Sequence, residues 1–434
     1  MIVSITICAV TCVSMIILIL TKPSVKLGKV SIDTYWIVAL LGAIVLLCSG
    51  QVDAKAIGEA MIADNAINPL KILVLFVSMT ILSIYLDELG FFSYLANATL
   101  KKAKTSQFKL FLYLYLIVSV LTVFTSNDVI ILSFTPFICY FAKNAKIDPV
   151  PYLAGEFVAA NTWSMALIIG NPTNIYLATA NGIDFLGYLE IMILPTIVAG
   201  LVAFGMLVAI FGKKLKGKIE GEPEEIVIKD KANLIIGIVH LAICTIMLAI
   251  GSYIGIEMWA VSLIAVASLF VCVEISSLVR HQKPSELVKS LSRAPWQLVP
   301  FVLSMFVLII GLAQNGVTEI LAGVLDSRKA SVFTYGLTSF VAANVINNIP
   351  MSVLFSSIIS FSENSVTAAT FASIIGSNIG AFLTPIGALA GIMWSSILKK
   401  HDLKFGYGNF LFIGVTVAVP TILASLTTLW LILK

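Results

Sequence analysis

Long runs of apolar residues, separated by short polar segments, dominate this chain. About 20 apolar residues cross a bilayer as a helix, because each residue adds about 1.5 Å. Two runs, Tyr152–Ala180 and Ala368–Leu398, predict helices that Gly, Pro and Asn residues interrupt. The others that predict simple membrane helices are Ile2–Leu20, Tyr35–Gly50, Leu70–Asp87, Tyr188–Gly212, Leu234–Ile254, Trp259–Val279, Pro300–Gln314 and Phe410–Leu433.

Two further apolar runs, Phe108–Phe141 and Val332–Phe361, hold polar residues at their centres. Each half has about 15 residues and would be about 22 Å long, short of the roughly 30 Å hydrocarbon core. We therefore expect re-entrant hairpins, whose two short helices enter and leave on the same side. The pattern as a whole predicts an all-α polytopic membrane protein with about 10–12 membrane segments.

Composition supports lipid as the solvent. Of the 434 residues, 59% are hydrophobic and 12% are charged, whereas soluble domains carry about 25% charged residues. The net charge of +4 does not indicate a nucleic-acid partner, because the basic residues lie in short loops. The six cysteines form no Cys/His cluster, so we expect no disulfide framework, metal site or cofactor.

The basic residues also predict an orientation. If the spans alternate, 22 of the 27 Lys and Arg residues fall on one side, which the positive-inside rule makes cytoplasmic. Both termini then face outward, in a bacterial or archaeal plasma membrane. The five basic residues on the outer side are Lys55, Lys71, Arg328, Lys329 and Lys434.

The two halves of the chain resemble each other. In the predicted orientation the matching helices run in opposite directions, which indicates inverted repeats, the recurring plan of secondary transporters. We expect N-terminal helices over 1–69, a first repeat over 70–212, a cytoplasmic linker and connecting helices over 213–295, and a second repeat over 296–434. The matches are Ser78-Met79 and Gly90 with Ser304-Met305 and Gly316, Asn127-Asp128 with Asn347-Asn348, and Asn161 and Gly170 with Asn378 and Gly387.

Four polar breaks interrupt the apolar runs, and their side chains are the predicted site for a small solute and its coupling ion. Pro removes a backbone donor and Gly permits a turn, so freed carbonyls can bind cations and half-helix N-termini can bind anions. The alternative is that these residues only cap the half-helices. The site residues are Thr125, Ser126, Asn127, Asp128, Asn171, Thr173, Asn174, Asn344, Asn347, Asn348, Ser377, Asn378 and Thr384.

Asp128 is the most informative carboxylate, because a charge at this depth is costly and usually functional. It could exchange protons, bind sodium or cap its half-helix. We expect Glu156 at the membrane interface, and Asp87 and Glu88 solvated at a helix end. The three histidines have no ligand spacing and are interpreted as non-catalytic.

At these breaks the sequence resembles the ion transporter superfamily, most closely its arsenical pump membrane protein and sodium/proton antiporter branch. The resemblance rests on Asn127-Asp128 with Thr135-Pro136, the box Asn347–Pro350, and Ser377–Gly380 followed by Leu383–Leu389 and Trp394. It implies a two-domain transporter with a scaffold part and a moving transport part, often a homodimer. An arsenical pump would also imply a soluble ATPase partner.

Proton-coupled efflux of arsenite or antimonite is the function that we expect first, with a neutral trihydroxide held by Asn, Ser and Thr and with Asp128 carrying the proton. Sodium/proton antiport and transport of a carboxylate or other small anion are the alternatives. The box Gly170–Asn174 is closer to the antiporter and carboxylate-transporter branches. An enzyme is not expected, since no membrane-embedded catalytic constellation is present.

Overall fold

The structure is a computed structural model that describes residues 1–22, 24–27, 30–64, 68–219, 228, 230–326, 331–362, 365–385, 387–401, 403 and 405–434. Some residues used above lie outside this part of the chain: Lys29, Lys229 and Lys404 among the 22 basic residues, Arg328 and Lys329 on the predicted outer side, and Ile386 within Leu383–Leu389.

The described chain is almost entirely helical, which confirms the predicted fold class. One short antiparallel pair of strands, β1 and β2, departs from it and pairs Ser24 with Asp33. The elements before the middle of the chain are α1 (Ile2–Thr21), β1 (Ser24–Leu27), β2 (Val30–Asp33), α2 (Thr34–Cys48), α3 (Ala54–Ile62), α4 (Pro69–Glu88), α5 (Phe91–Ala103), α6 (Gln107–Phe124), α7 (Asn127–Asn144), α8 (Val150–Trp163), α9 (Pro172–Ala180) and α10 (Phe185–Phe211).

The remaining helices complete the succession to the C-terminal end. They are α11 (Lys231–Gly251), α12 (Met258–Val279), α13 (Ser285–Arg293), α14 (Leu298–Gln314), α15 (Val317–Leu325), α16 (Ser331–Ile346), α17 (Asn348–Ile359), α18 (Val366–Gly380), α19 (Leu389–Lys400) and α20 (Tyr407–Ile432).

Eight helical stretches in the described residues are long and apolar enough to cross a membrane: α1, α4, α6, α10, α11, α12, the α13–α14 stretch and α20. Seven of them coincide with runs that the sequence predicted. The eighth predicted run instead forms α2, which has 15 residues, and the eighth observed stretch is α6, the first limb of a predicted hairpin.

The limbs of the first hairpin are longer than expected. Helices α6 and α7 have 18 residues each, or about 27 Å at 1.5 Å per residue. The predicted limbs were shorter because an apolar run ends where polar residues begin, whereas a helix can include them. Helix α6, for example, begins at the polar Gln107, with Ser106 as its N-cap. The second hairpin, α16 and α17, has limbs of 16 and 12 residues. Re-entrance of both hairpins remains a prediction.

The helices pack as two layers. One contains α1, α2, α4 and α11–α14, in which α14 packs on α2, and α12 packs on α4 and α11. We call it the scaffold layer. The second contains α6–α10 and α16–α20, in which α16 packs on α18, α6 packs on α8, and α10 packs on α20. We call it the hairpin layer.

The succession α4–α10 is repeated by α14–α20. In both halves a long helix is followed by a short helix whose preceding glycine adopts a left-handed conformation, with φ of 80° at Gly90 and 72° at Gly316. A helix at such a turn needs Gly, because a Cβ makes positive φ unfavourable. Helix α9 packs on α17, and α19 packs on α7, so the halves interlock. The opposite orientation of the halves and the four-part division of the chain remain predictions.

The end of α4 corrects one expectation. The side chains of Asp87 and Glu88 are 11% and 12% exposed, and both pair with the guanidinium of Arg293. They are shielded because α13 packs across the end of α4 and supplies the opposite charge. The prediction that they are solvated was therefore wrong.

Candidate functional site

The second and fourth polar breaks meet at Asn378. Its Oδ1 accepts hydrogen bonds from Ser164 Oγ at 2.8 Å and from Asn171 Nδ2 at 3.0 Å. Its Nδ2 donates to Asn174 Oδ1 at 2.7 Å. All four side chains are fully buried or nearly so. One amide of the second half is thus bound to three side chains of the first half.

The local sequence explains why the chain breaks before α9 and brings Asn171 to Asn378. Helix α9 begins at Pro172, where a missing N–H costs nothing because the first helical amides lack intrahelical acceptors. Asn171 caps the helix, and its Oδ1 accepts from both the amide and the hydroxyl of Thr173 at 3.1 Å. A Cβ at Gly170 would lie 2.3 Å from Ser164 O, so only glycine lets the chain fold back here.

A fourth hydrogen bond between the halves lies beside these three. Ser377 Oγ donates to Thr173 Oγ1 at 3.1 Å, and both side chains are fully buried. Asn171 therefore caps α9, Thr173 donates to that cap, and both residues also take part in the contact between the halves. The capping alternative is confirmed for Asn171, whereas binding of a solute or ion by these residues stays a prediction.

The first hairpin tip is anchored by Asn127 and carries Asp128. Asn127 Nδ2 donates to Asn161 Oδ1 at 3.0 Å, and Ser126 caps α7. Thr125 Oγ1 donates to Leu121 O, which ends α6. Asp128 lies in the first turn of α7, where the helix dipole favours an anion.

The second hairpin tip packs against the fourth break through Asn344. Its Oδ1 accepts from Thr384 Oγ1 at 2.7 Å, and its Nδ2 donates to Gly380 O at 3.0 Å. A Cβ at Gly387 would lie 2.7 Å from Gly380 O and 2.8 Å from Asn344 Oδ1. The close approach of the two breaks therefore depends on glycine.

The backbone of this tip is unusual at Asn347, which has φ of 71° and caps α17 through Ile349 N. Asn tolerates this region better than other residues that carry a Cβ. The backbone N–H of Asn348 donates to Gly387 O at 3.1 Å. Its Oδ1 is buried without a hydrogen-bond partner in the described structure, so this oxygen is a candidate ligand for a cation or a solute donor.

A cavity of about 520 Å³ opens between the scaffold and hairpin layers. Its polar lining includes Asp128, Tyr35 and Thr80, while Arg293 and the exposed Lys400 add positive charge to its wall. Of the predicted site residues, only Asp128 lines it. No described side chain donates a hydrogen bond to the Asp128 carboxylate, so that group faces the cavity without a fixed partner.

The structure thus places the predicted residues in three groups. Asn171, Thr173, Asn174, Ser377 and Asn378 form one buried network, to which Asn127 is joined through Asn161 and Ser164. The other groups are the second tip, with Asn344, Asn347, Asn348 and Thr384, and the cavity wall at Asp128, beside Thr125 and Ser126.

Sequence reasoning missed two members of the network. Asn161 accepts from Asn127, and Ser164 donates to both Asn161 O and Asn378. The match between Asn161 and Asn378 in the internal repeat was a signal for the first. Ser164 carried no comparable signal, because a single serine in an apolar run is common.

Glu156 is a second correction. Instead of lying at the interface, it is 1% exposed, and Thr135 Oγ1 donates to its Oε1 at 2.8 Å and Oε2 at 3.1 Å. Helix α8 is enclosed by α6, α7, α10 and α18, so the side chain of Glu156, about two turns after the start of α8, is shielded by the neighbouring helices. In the described residues, no three His, Cys, Asp or Glu side chains group as metal ligands do.

Comparison with known families identifies the class of protein. The profile of CitMHS, described as citrate transporter, matches residues 15–368. The chain belongs to this family. The family places it within the ion transporter superfamily, as its polar breaks predicted, and makes it a multi-pass membrane transporter.

Two relatives with descriptive names align with most of this chain. It is 27% identical to a putative arsenical pump membrane protein of Bacillus subtilis (strain 168), over 90% of this chain and 93% of the relative. It is 28% identical to an arsenical pump membrane protein of Escherichia coli, over 90% and 92%.

A solved structure shares the fold. The YdaH transporter of Alcanivorax borkumensis, whose crystal structure is described as revealing an unusual topology, superposes with a TM-score of 0.55 at 12% identity, covering 100% of this chain and 98% of that one. At this identity the likeness supports the architecture and not the substrate.

Proposed function

We propose that this family member exports arsenite or antimonite in exchange for protons, and that Asp128 is the carboxylate that carries the proton. The observation that supports this most directly is the position of Asp128, which lines the cavity between the two layers without a fixed donor. An ionisable residue in a membrane segment is by default a candidate for ion or proton transfer.

The chemistry of the wall suits a neutral solute. Arsenite and antimonite at neutral pH are uncharged trihydroxides, whose hydroxyl groups both donate and accept hydrogen bonds. The Asp128 carboxylate and the Thr80 and Tyr35 hydroxyls offer complementary groups without requiring a counter-charge. The relatives named arsenical pump membrane protein agree with this choice.

Exchange follows if the solute and the proton compete for one carboxylate. A protonated Asp128 gives up one acceptor to its own proton, so release of the proton restores full acceptor capacity for the solute. Binding on one side and proton uptake on the other then couple the two fluxes. Sodium in place of the proton remains the alternative coupling ion.

A carboxylate substrate such as citrate is the second candidate, and one observation favours it. Lys400 and Arg293 bring two positive charges to the cavity wall, although Arg293 is already paired with Asp87 and Glu88. Asp128 would repel a polyanion, which is why we place citrate second despite the family's description. The homodimer, the ATPase partner and the outward termini remain predictions.

Transport into proteoliposomes of purified protein tests the proposal. With an imposed pH gradient, we expect arsenite and antimonite to be accumulated against their own gradients, and citrate and sodium to move no faster than in empty liposomes. Accumulation of citrate alone would replace the first candidate with the second. Proton movement driven by sodium alone would make the protein a cation antiporter.

A further inference from the structure

Glu156 is a buried carboxylate that the proposed export mechanism does not use. Its two oxygens accept from a single protein hydroxyl, that of Thr135 on α7, and the indole of Trp394 on α19 lies beside it. A carboxylate so enclosed usually pairs with a cation. In the described structure, no Lys, Arg or His forms an ion pair with Glu156.

The other groups around Glu156 do not supply charge either. The thiol of Cys139 on α7 is the titratable neighbour, and it is buried and free. Trp394 packs on Phe157 and Phe410, with ring centroids 5.1 and 5.6 Å apart, so α19 and α20 present aromatic rings to this side of α8. Helices α6, α10 and α18 contribute no described charged side chain near the carboxylate. An ionised Glu156 would therefore lack the counter-charge that a buried carboxylate usually has.

Glu156 also lies close behind the wall of the cavity. On α7, residues Asp128, Leu132 and Thr135 are spaced by four and three positions, so they lie along one face of the helix. The first two line the cavity, and the third holds Glu156. Seven residues of helix correspond to about 10 Å, which is the axial separation of Asp128 and Thr135.

We propose that Glu156 is a second proton-binding site, which receives protons from the cavity and returns them during the transport cycle. In this step one O–H bond forms on a Glu156 oxygen as an O–H bond of a hydrated proton from the cavity breaks, and the return reverses it with no change of redox state. Asp128 lies about 10 Å away along α7, so water carries any proton that passes between the two carboxylates. This inference rests on the proposed proton-coupled function, of which it names a second carrier.

Infrared difference spectroscopy of the full-length protein in lipid, titrated from acid to alkaline pH, tests proton binding without transport. We expect a carbonyl band of a protonated carboxyl that disappears on alkalinisation. The band should be absent from Glu156→Gln and present in Glu190→Gln, a control that makes the same change at an exposed glutamate. A Glu156→Gln spectrum identical to that of the wild type would overturn the proposal.

A second variant, Thr135→Val, keeps the proposal testable if Glu156→Gln folds poorly. Thr135→Val is close to isosteric and removes the one hydroxyl donor, so the Glu156 band should remain but change its frequency. A band that is unmoved by Thr135→Val would assign it to another carboxyl and contradict the proposal.

Transport measurements distinguish this proposal from the proposed proton-coupled export on which it rests. In proteoliposomes, Glu156→Gln should lose arsenite-driven proton release while retaining arsenite-for-arsenite exchange. If the wild type moves arsenite without protons, the proposed coupling fails, and the infrared titration alone decides whether Glu156 binds a proton. If the wild type is coupled and Glu156→Gln is equally coupled over the whole pH range, only the role of Glu156 is refuted.

Discussion

The two hairpin tips occupy matching places in the repeated succession but differ in chemistry and exposure. The first tip presents the Asp128 carboxylate to a cavity of about 520 Å³. The second carries the neutral side-chain amide of Asn348 at the matching position. This residue is buried, and its backbone N–H donates to Gly387 O at 3.1 Å. One tip is therefore open and ionisable, while the other is closed and neutral.

This difference separates the requirements of the fold from those of transport. Both tips begin a helix with a polar cap, Ser126 in one and Asn347 in the other, so the break itself is a structural feature of both halves. A carboxylate is not needed for the break, since the second tip lacks one. Under the proposed function, the carboxylate at the first tip serves ion coupling.

Making the first tip resemble the second should have the largest effect. For Asp128→Asn we expect a fall in proton-coupled arsenite flux of at least about 100-fold, the lower end of what a positioned proton-transfer group contributes. Flux into proteoliposomes measures it, with insertion and folding checked by size-exclusion chromatography.

The matched control is Asp53→Asn. Asp53 is exposed and caps α3 through Lys55 N, and asparagine caps equally well. We expect its flux to equal that of the wild type. Normal coupled flux in Asp128→Asn would remove the carboxylate from the mechanism and leave the contrast between the tips without functional meaning.

Breaking the buried network around Asn378 should mainly cost stability. Asn378→Ala leaves Ser164, Asn171 and Asn174 without their buried partner, and we expect a loss of about 2–3 kcal/mol in the free energy of unfolding. Unfolding in mixed micelles measures it. Asn181→Ala, at a half-buried asparagine with one bond to Leu177 O, should cost much less, and equal losses would refute the central position of Asn378.

Opening the second tip sharpens the contrast further. A Cβ in Gly387→Ala would meet Gly380 O at 2.7 Å and Asn344 Oδ1 at 2.8 Å, so we expect overpacking to cost about 1–2 kcal/mol. The control Gly323→Ala meets nothing within 4 Å and should leave stability equal or slightly higher. A melting temperature unchanged in Gly387→Ala would show that the tip is not held closed by this contact.

The smallest effect concerns an ion pair away from both tips. Burial acts to raise the pKa of Asp230, but the hydrogen bonds from Arg280 and from two backbone amides outweigh it and hold that pKa below its ordinary value. The stabilisation is then present above the ordinary pKa of about 3.9 and is lost as the pH falls through the native value.

Arg280→Gln should therefore lower stability slightly at about pH 7 and by less at about pH 3, without changing transport. Thermal unfolding of the variant and the wild type at the two pH values measures the difference. A deficit of equal size at both would show that Arg280 stabilises the protein by packing rather than by charge.

Much of the architecture follows from the sequence, because membrane spans are long apolar runs and breaks need Gly, Pro or Asn. Pro172 after Asn171 and the match of Asn127-Asp128 with Asn347-Asn348 were visible as patterns. Glu156 was misplaced because hydropathy gives depth along a helix but not which neighbours enclose it. Ser164 was missed for a related reason: its role depends on Asn378, which lies 214 residues away along the chain.

The central claim is that the Asp128 carboxylate at the open tip couples arsenite to protons, and reversal of the pH gradient tests it most directly. In proteoliposomes that hold equal arsenite on both sides, we expect wild-type protein to move arsenite in one direction under an imposed gradient and in the other when the gradient is reversed. Asp128→Asn should produce no net movement under either. Net arsenite movement in the variant that still follows the gradient, or wild-type movement that ignores its sign, would contradict the account.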